Sequence, residues 1–424
     1  MNSSIYDSFV YVLKKELKKA QGCTEPIAVA LSAARARKEL GCRPDSMHII
    51  VSANMFKNAR CVVVPNSGGE KGIEAAAVLG AFGGDPDNEL EVLTTVTDSV
   101  RAEAEMFLQD GRCTCEVLND VEELYVSSIL RAGTHSAEVT IANAHTNIVK
   151  IKKDDKIILE FHETDKTDPV MTNAKELLTF DNILDFAESV DVDLVRPILT
   201  EQLLCNKAIS AEGLSKSYGC RVGQTLFLSE EKDVRTLAKA RAAAGSDARM
   251  NGCDLPVVIN SGSGNQGLTV SLPVFTYAES MGAGEEKLLR ALCISNLISI
   301  FEKKHLGQLS AYCGAVTAAA GVSAALCYLK NGTRKQMADA ITNTLATAGG
   351  MVCDGAKSSC ASKIACALDS AITAYEMSMS GLTFGAGEGI VQNTVDETIR
   401  VNGYIGRVGM KSCDSEILNI MAQN

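Results

Sequence analysis

Hydrophobic positions along the chain change their period twice. Ile5, Phe9, Val12, Leu13 and Leu17 recur at helical spacing, with lysines 14, 15, 18 and 19 on the opposite, solvated side. The pattern breaks at Gln21-Gly22-Cys23-Thr24-Glu25-Pro26. Thr24 suits a helix cap and Pro26 a first turn, so a second, Ala-rich helix is predicted over Ile27 to Leu40. From Met47 the period shortens. His48–Ala53, Arg60–Val64, Leu90–Val96, Cys113–Leu118, Leu124–Leu130, Ser136–Ile141, Thr146–Ile151 and Lys156–Phe161 are short runs rich in Val, Ile and Thr. Polar turns such as Asp110-Gly111 separate them, and one helix fits over Gly72 to Leu79.

Beyond Pro169 the strand pattern stops. Helices are predicted over Ala174–Val190, Leu194–Ala208, Asp233–Ala248, Glu285–Lys304, Ser310–Leu329, Thr333–Ala348, Cys360–Gly381 and Asp396–Ile405, many with faces of Ala, Gly and Ser. The fold class that follows is α+β. Residues 1–44 are N-terminal helices packing on a helical domain, 45–168 a module of short strands leaving through a linker at Asp165–Pro169, and 169–424 a larger all-α domain. No fixed-period repeat or low-complexity tract is present.

Composition narrows the function classes. The chain has 424 residues and a net charge of −11, which disfavours binding to nucleic acid or an anionic membrane. Ala315 to Leu329 is too short an apolar run to span a bilayer, and no signal peptide is evident. Fifteen cysteines without a secretory signal read as reduced thiols, so a cytoplasmic location is expected. The small-residue helix faces make a homo-oligomer, such as a dimer, the expectation.

Three glycine-containing breaks concentrate functional groups. Asn260-Ser261-Gly262-Ser263-Gly264-Asn265-Gln266-Gly267 interleaves polar side chains with glycines, a composition suited to a backbone nest for carboxylate or phosphate and equally to a plain loop. Cys313 lies in Ser310-Ala311-Tyr312-Cys313-Gly314. Cys353 and Cys360 flank Asp354-Gly355-Ala356-Lys357, where Lys357 is placed either to pair a substrate carboxylate or to start a helix. Cys293, Cys327 and Cys366 sit in Ala-rich helices as small hydrophobes. Spacing alone leaves a metal site open, since there is no CxxC pair. If a metal binds, a thiol-rich, histidine-poor set favours zinc or an iron–sulfur cluster. Cys23 stands at a helix N-terminus, where amide dipoles favour a thiolate. His48, His135, His145 and His162 are expected to line a surface, and His305 to be a helix C-terminal cation.

The combination of GCTEP at 22–26, NSGSGNQG at 260–267, SAYCGA at 310–315 and CDGAKSSC at 353–360 resembles the L-cysteine desulfidase family. Its many bacterial members are grouped with the α-chain-like domain of iron–sulfur L-serine dehydratases. The similarity spans nearly the whole chain, including GLTFGAGEGIV at 381–391. It implies an oxygen-sensitive [4Fe–4S] lyase that converts L-cysteine and water to pyruvate, ammonia and sulfide. Carried over by motif, Cys313, Cys353 and Cys360 would be the cluster ligands and Cys23 the proton acceptor. A competing assignment makes Cys23 a ligand in place of Cys360.

Alongside that resemblance, the residues themselves give the 260–267 loop (Asn260, Ser261, Ser263, Asn265, Gln266) and Lys357 the substrate carboxylate. L-serine dehydration is the near alternative. The dehydratase relatives use a C-terminal cysteine to occupy the open iron, whereas Cys413 here is followed by eleven further residues, so a tail-gated mechanism is not expected. Two other classes remain: a pyridoxal-phosphate lyase using Lys357 or Lys363, and a non-catalytic cluster-bearing or amino-acid-binding protein.

Overall fold

The computed structural model describes residues 3–161, 168–230, 233–307 and 309–422. The expected surface position of His162 and most of the Asp165–Pro169 linker lie outside them. The chain begins with α1 (Ser3–Glu16) and a short strand β1 (Lys19–Gln21), then enters α2 (Thr24–Leu40). Almost every residue of α2 is buried, because its Ala-rich surface lets neighbours approach from several sides.

A six-stranded sheet follows, in the order β3-β2-β4-β5-β6-β7. Its strands are β2 (Ser46–Ser52), β3 (Cys113–Leu118), β4 (Tyr125–Ala132), β5 (His135–Ala142), β6 (Ile148–Lys153) and β7 (Lys156–Glu160). Only β2 and β3 run parallel; the other neighbours are antiparallel. Ile49 pairs with Ser128 and Ser128 with Val139, so these residues share one face, together with Met47, Val51, Val126, Leu130 and Ile141. That buried face is covered by α2, whose Ser32 hydroxyl meets Ser128 Oγ at 2.5 Å. The second helix thus packs on the sheet and on α4 (Gly72–Gly83).

The remainder is helical: α6 (Pro169–Glu176), α7 (Phe180–Ser189), α8 (Val192–Ser215), α9 (Val222–Phe227), α10 (Val234–Met250), α11 (Gly264–Ser280), α12 (Glu285–Leu306), α13 (Gly314–Leu329), α14 (Arg334–Ala348), α15 (Cys360–Met379), α16 (Val395–Tyr404) and α17 (Lys411–Ala422). Helix α13 is the axis. It is Ala-rich, buried along nearly its whole length, and packs against α11, α12, α14 and α15. No helix among the described residues is long and apolar enough to cross a membrane.

The α+β class holds, with local departures. Arg60–Val64 is not a strand. It is a turn after α3 (Ala53–Ala59), retaining a single bridge between Val63 and Lys71. Leu90–Val96 falls mostly in a kinked 3-10 segment, Pro86–Thr95, whose Leu90, Val92 and Leu93 are buried without a partner strand. The predicted helix over Ala174–Val190 is divided at Thr179, whose hydroxyl caps α7 by accepting from Asn182 N. Strands do not end at Pro169 either. β8 (Pro256–Val258) pairs antiparallel with β1 and stitches the amino terminus to the helical region. Helix α5 (Asp98–Gln109), capped by Thr97 and carrying Val100, Ala104, Phe107 and Leu108 at helical spacing, was not among the predicted elements.

Candidate functional site

The four cysteines singled out by motif come together. Cys23, Cys313, Cys353 and Cys360 line a single cavity of about 110 Å3, together with Glu25, Asn58, His145, Arg249, Lys303, Tyr312 and the 261–266 loop. Backbone pairing puts Cys313 beside Cys353. Cys313 N donates to Met351 O at 2.9 Å, Cys353 N donates to Ala311 O at 2.6 Å, and Tyr312 bridges Val352. The helix predicted from Ser310 therefore starts only at Gly314, because residues 311–313 are held extended by this pairing. Cys360 opens α15, with its Sγ 3.8 Å from Gly355 O. Burial pushes the Cys313 thiol up to about 12, with Cys353 and Cys360 adding to the effect, so the three groups lie within electrostatic reach of one another.

Cys23, the residue that caps α2, is only 3% exposed and packs in one small cluster with Val62, Met250 and Cys360. Its thiol donates to Glu25 Oε2 at 2.9 Å. The helix start does not make it a thiolate as the sequence pattern predicts. Burial raises the thiol well above its ordinary value, the Glu25 carboxylate adds to this, and Arg249 opposes it without prevailing. The dipole of one helix end is a fraction of a charge, smaller than the cost of placing a full charge in this interior. Glu25 is also buried, which would raise it. His145, the Cys23 thiol and Arg249 outweigh that and hold the carboxyl below the usual range. Asn58 Nδ2 donates to its other oxygen at 3.2 Å.

The 260–267 motif divides by role. Asn260 is fully buried and saturated: its amide donates to Asn296, and its oxygen accepts from Ser261 and Ser299. It is outside the cavity lining. Ser261, Ser263, Asn265 and Gln266 line the cavity, Ser263 as the cap of α11. Two glycines between them answer to distant side chains. Gly262 has a φ of +77°, and a Cβ there would stand 3.2 Å from His145 Cε1. A Cβ on Gly264 would lie 2.3 Å from Arg249 Nε.

Lys357 is turned away from the cavity. Its ammonium lies 2.6 Å from Asp354, which also pairs with Lys363. Against the effect of burial, the two lysines bring Asp354 down to about 2. Neither lysine lines the cavity, and Cys413, on α17, does not either.

His145 is not on the surface as expected. The turn between β5 and β6 carries it into the cavity wall, 9% exposed, with Nε2 unpartnered. Burial pulls it below its ordinary value, an effect that Glu25 opposes and Arg249 and Lys303 reinforce. His305 does occupy the last turn of α12, but burial brings it to about 4, so it is no cation at neutral pH. His48 and His135 are at the surface, His48 paired with Glu116 at 3.0 Å. Sequence reasoning missed Glu25, Asn58, Arg249, Lys303 and Tyr312 as cavity residues. Glu25 and Tyr312 lay inside quoted motifs; Asn58, Arg249 and Lys303 carry no local signal.

Soft donors suit a thiolate-bound group here, and Cys313, Cys353 and Cys360 present three of them. Among the described residues no three His, Cys, Asp or Glu side chains already stand in the arrangement that grips a single metal ion.

The serine dehydratase alpha chain family model matches residues 87–419, a span that contains Cys313, Cys353 and Cys360 but not Cys23. A UPF0597 protein of Lachnoclostridium phytofermentans is 48% identical over 98% of this chain and 100% of its own length. Others from Desulfitobacterium hafniense and Treponema denticola are 44% and 42% identical, covering 98% and 100% of this chain and 96% and 100% of their own lengths. The chain belongs to the UPF0597 family and carries a serine dehydratase alpha chain domain.

Proposed function

We propose that this protein is an iron–sulfur lyase that eliminates the β-substituent of L-cysteine, giving pyruvate, ammonia and hydrogen sulfide. The observation that carries this reading is the meeting of four cysteines from three distant segments around one small, buried cavity. A [4Fe–4S] cluster fits the donor set, with Cys313, Cys353 and Cys360 as its ligands. When bound, such a cluster supplies an iron with an open position, a Lewis acid toward the substrate's β-substituent.

The chain's own residues do the rest. The first turn of α11 offers backbone N–H groups to the substrate carboxylate. Cys23 takes the α-proton. To do so it must first lose its own, and Glu25 Oε2 is the acceptor already in contact. The Cα–H electron pair forms the Cα–Cβ double bond as the C–S bond breaks and sulfur leaves with its electrons. The released 2-aminoacrylate tautomerises and adds water, yielding pyruvate and ammonia.

Protein purified without oxygen should contain about four iron and four acid-labile sulfide per chain. It should release sulfide and pyruvate from L-cysteine, and lose that activity on aeration. Absence of iron, or activity unchanged by prolonged aeration, would sink the reading. The family description favours a second reading, L-serine dehydration on the same machinery. Pyruvate from L-serine, with no turnover of L-cysteine, would establish it.

A further inference from the structure

Arg249 stands at the end of α10, 2% exposed, the largest of the fully buried side chains. Its Nε has no hydrogen-bond partner, and no ion pair to it occurs among the described residues. A guanidinium in such a place is costly unless something anionic meets it. Glu25, the one carboxylate lining the cavity, has its oxygens engaged by Cys23, Thr24 and Asn58. A second cation, Lys303, also faces the cavity. Thiols apart, two basic side chains thus meet one carboxylate on the cavity wall.

Arg249 lies beside the start of α11. Its neighbour Met250 packs in one cluster with Cys23, Val62 and Cys360, and its Nε crosses the first residue of α11, where only a glycine leaves room. Its charge acts on Cys23, Glu25 and His145, whereas the cations acting on Cys313 and Cys360 are Lys363 and Lys357. What Arg249 faces is the same space that the α11 N-terminus faces, beside the Asn265 side-chain oxygen, which is also without a partner.

We propose that Arg249, with the first turn of α11, is the clamp for the free α-carboxylate of a small amino acid, and so decides which class of molecule this cavity accepts. The inference rests on the reading of the cavity as an amino-acid site and replaces Lys357 in the role the sequence pattern offered it. A planar guanidinium can bind both carboxylate oxygens, while the helix amides fix their orientation. Held there, the ligand has its α-carbon on the Cys23 side.

Calorimetry on the oxygen-free protein would compare L-alanine, which has no leaving group, with L-alaninamide, in wild type, Arg249→Lys and Arg249→Gln. Wild type should prefer L-alanine by ~100-fold, the scale of a desolvated charge pair. Arg249→Gln should erase that preference and Arg249→Lys keep part of it. The clamp is overturned if wild type binds the amide as well as the acid, binds neither, or if Arg249→Gln keeps the preference. The ligand-side comparison in wild type needs no variant to fold. If L-cysteine is not turned over while the carboxylate preference depends on Arg249, the elimination reading fails and the clamp stands. If L-cysteine and its amide are eliminated equally well, the clamp fails and elimination stands.

Discussion

The Cys23 thiol and the Glu25 carboxylate, two residues apart at the start of α2, face each other at 2.9 Å in the cavity wall, both buried. The carboxylate keeps its charge and the thiol keeps its proton. Elimination is therefore expected to quicken as pH rises above neutrality, because the reactive thiolate fraction grows. Glu25→Gln removes the negative charge that raises the thiol, so the rising limb should move to lower pH even as the maximal rate falls. A pH profile of kcat/KM for both proteins checks this; an unmoved limb would separate Cys23 from Glu25.

The same buried thiols set how stability depends on pH. Cys23, Cys313 and Cys293 have folded-state values raised above the ordinary cysteine, Cys293 to about 12. The native state holds protons that the unfolded chain releases first. The contribution is full below the ordinary cysteine value and is lost as pH climbs through and beyond it. Thermal melts of the metal-free protein should show a lower Tm at pH 10 than at pH 8.

Cys313→Ala, Cys353→Ala and Cys360→Ala are each expected to abolish iron retention. Cys23→Ala should keep the iron and lose elimination by ~100-fold or more, the usual reach of a positioned base. Iron assays and the broad visible absorbance of the purified variants decide the matter. Loss of iron from Cys23→Ala would make that residue a ligand.

Gly264→Ala puts a methyl group where Arg249 Nε lies. The guanidinium must move, at a cost of about 1–3 kcal/mol in stability for an overpacked site. Affinity for L-alanine should fall with it. Chemical denaturation and calorimetry on the same preparation measure both.

Helix α17 reaches the cavity only indirectly. Its Asp414 pairs with Lys57, which is wholly buried on α3 next to Asn58, the residue that donates to Glu25. Asp414→Ala leaves an unpaired buried ammonium and should cost about 3–5 kcal/mol. Lys57→Met combined with Asp414→Leu should recover most of it, as a denaturant series would reveal.

Periodicity and capping carried the fold class because they act over a few residues. The runs at Cys113–Leu118 and Ser136–Ile141 became β3 and β5, and Thr333 caps α14 through a reciprocal box with Gln336. Where the outcome depended on a partner, the local pattern misled. Arg60–Val64 and Leu90–Val96 had strand composition and found no adjoining edge to pair with in a ladder.

The site divides in the same way. Cysteines beside glycine breaks are visible in one dimension, so the sequence by itself determined the α+β class and the thiol-rich breaks that bear on one cavity. It could not announce Arg249, His145 or Lys303, which stand in an Ala-rich helix, a β-turn and a lysine pair with nothing local to set them apart. Their place was decided by the packing of α10, the β5–β6 turn and α12 around the start of α11. The tertiary structure also reversed the charge expected at Cys23, because burial acts on a full charge and a helix end offers only part of one.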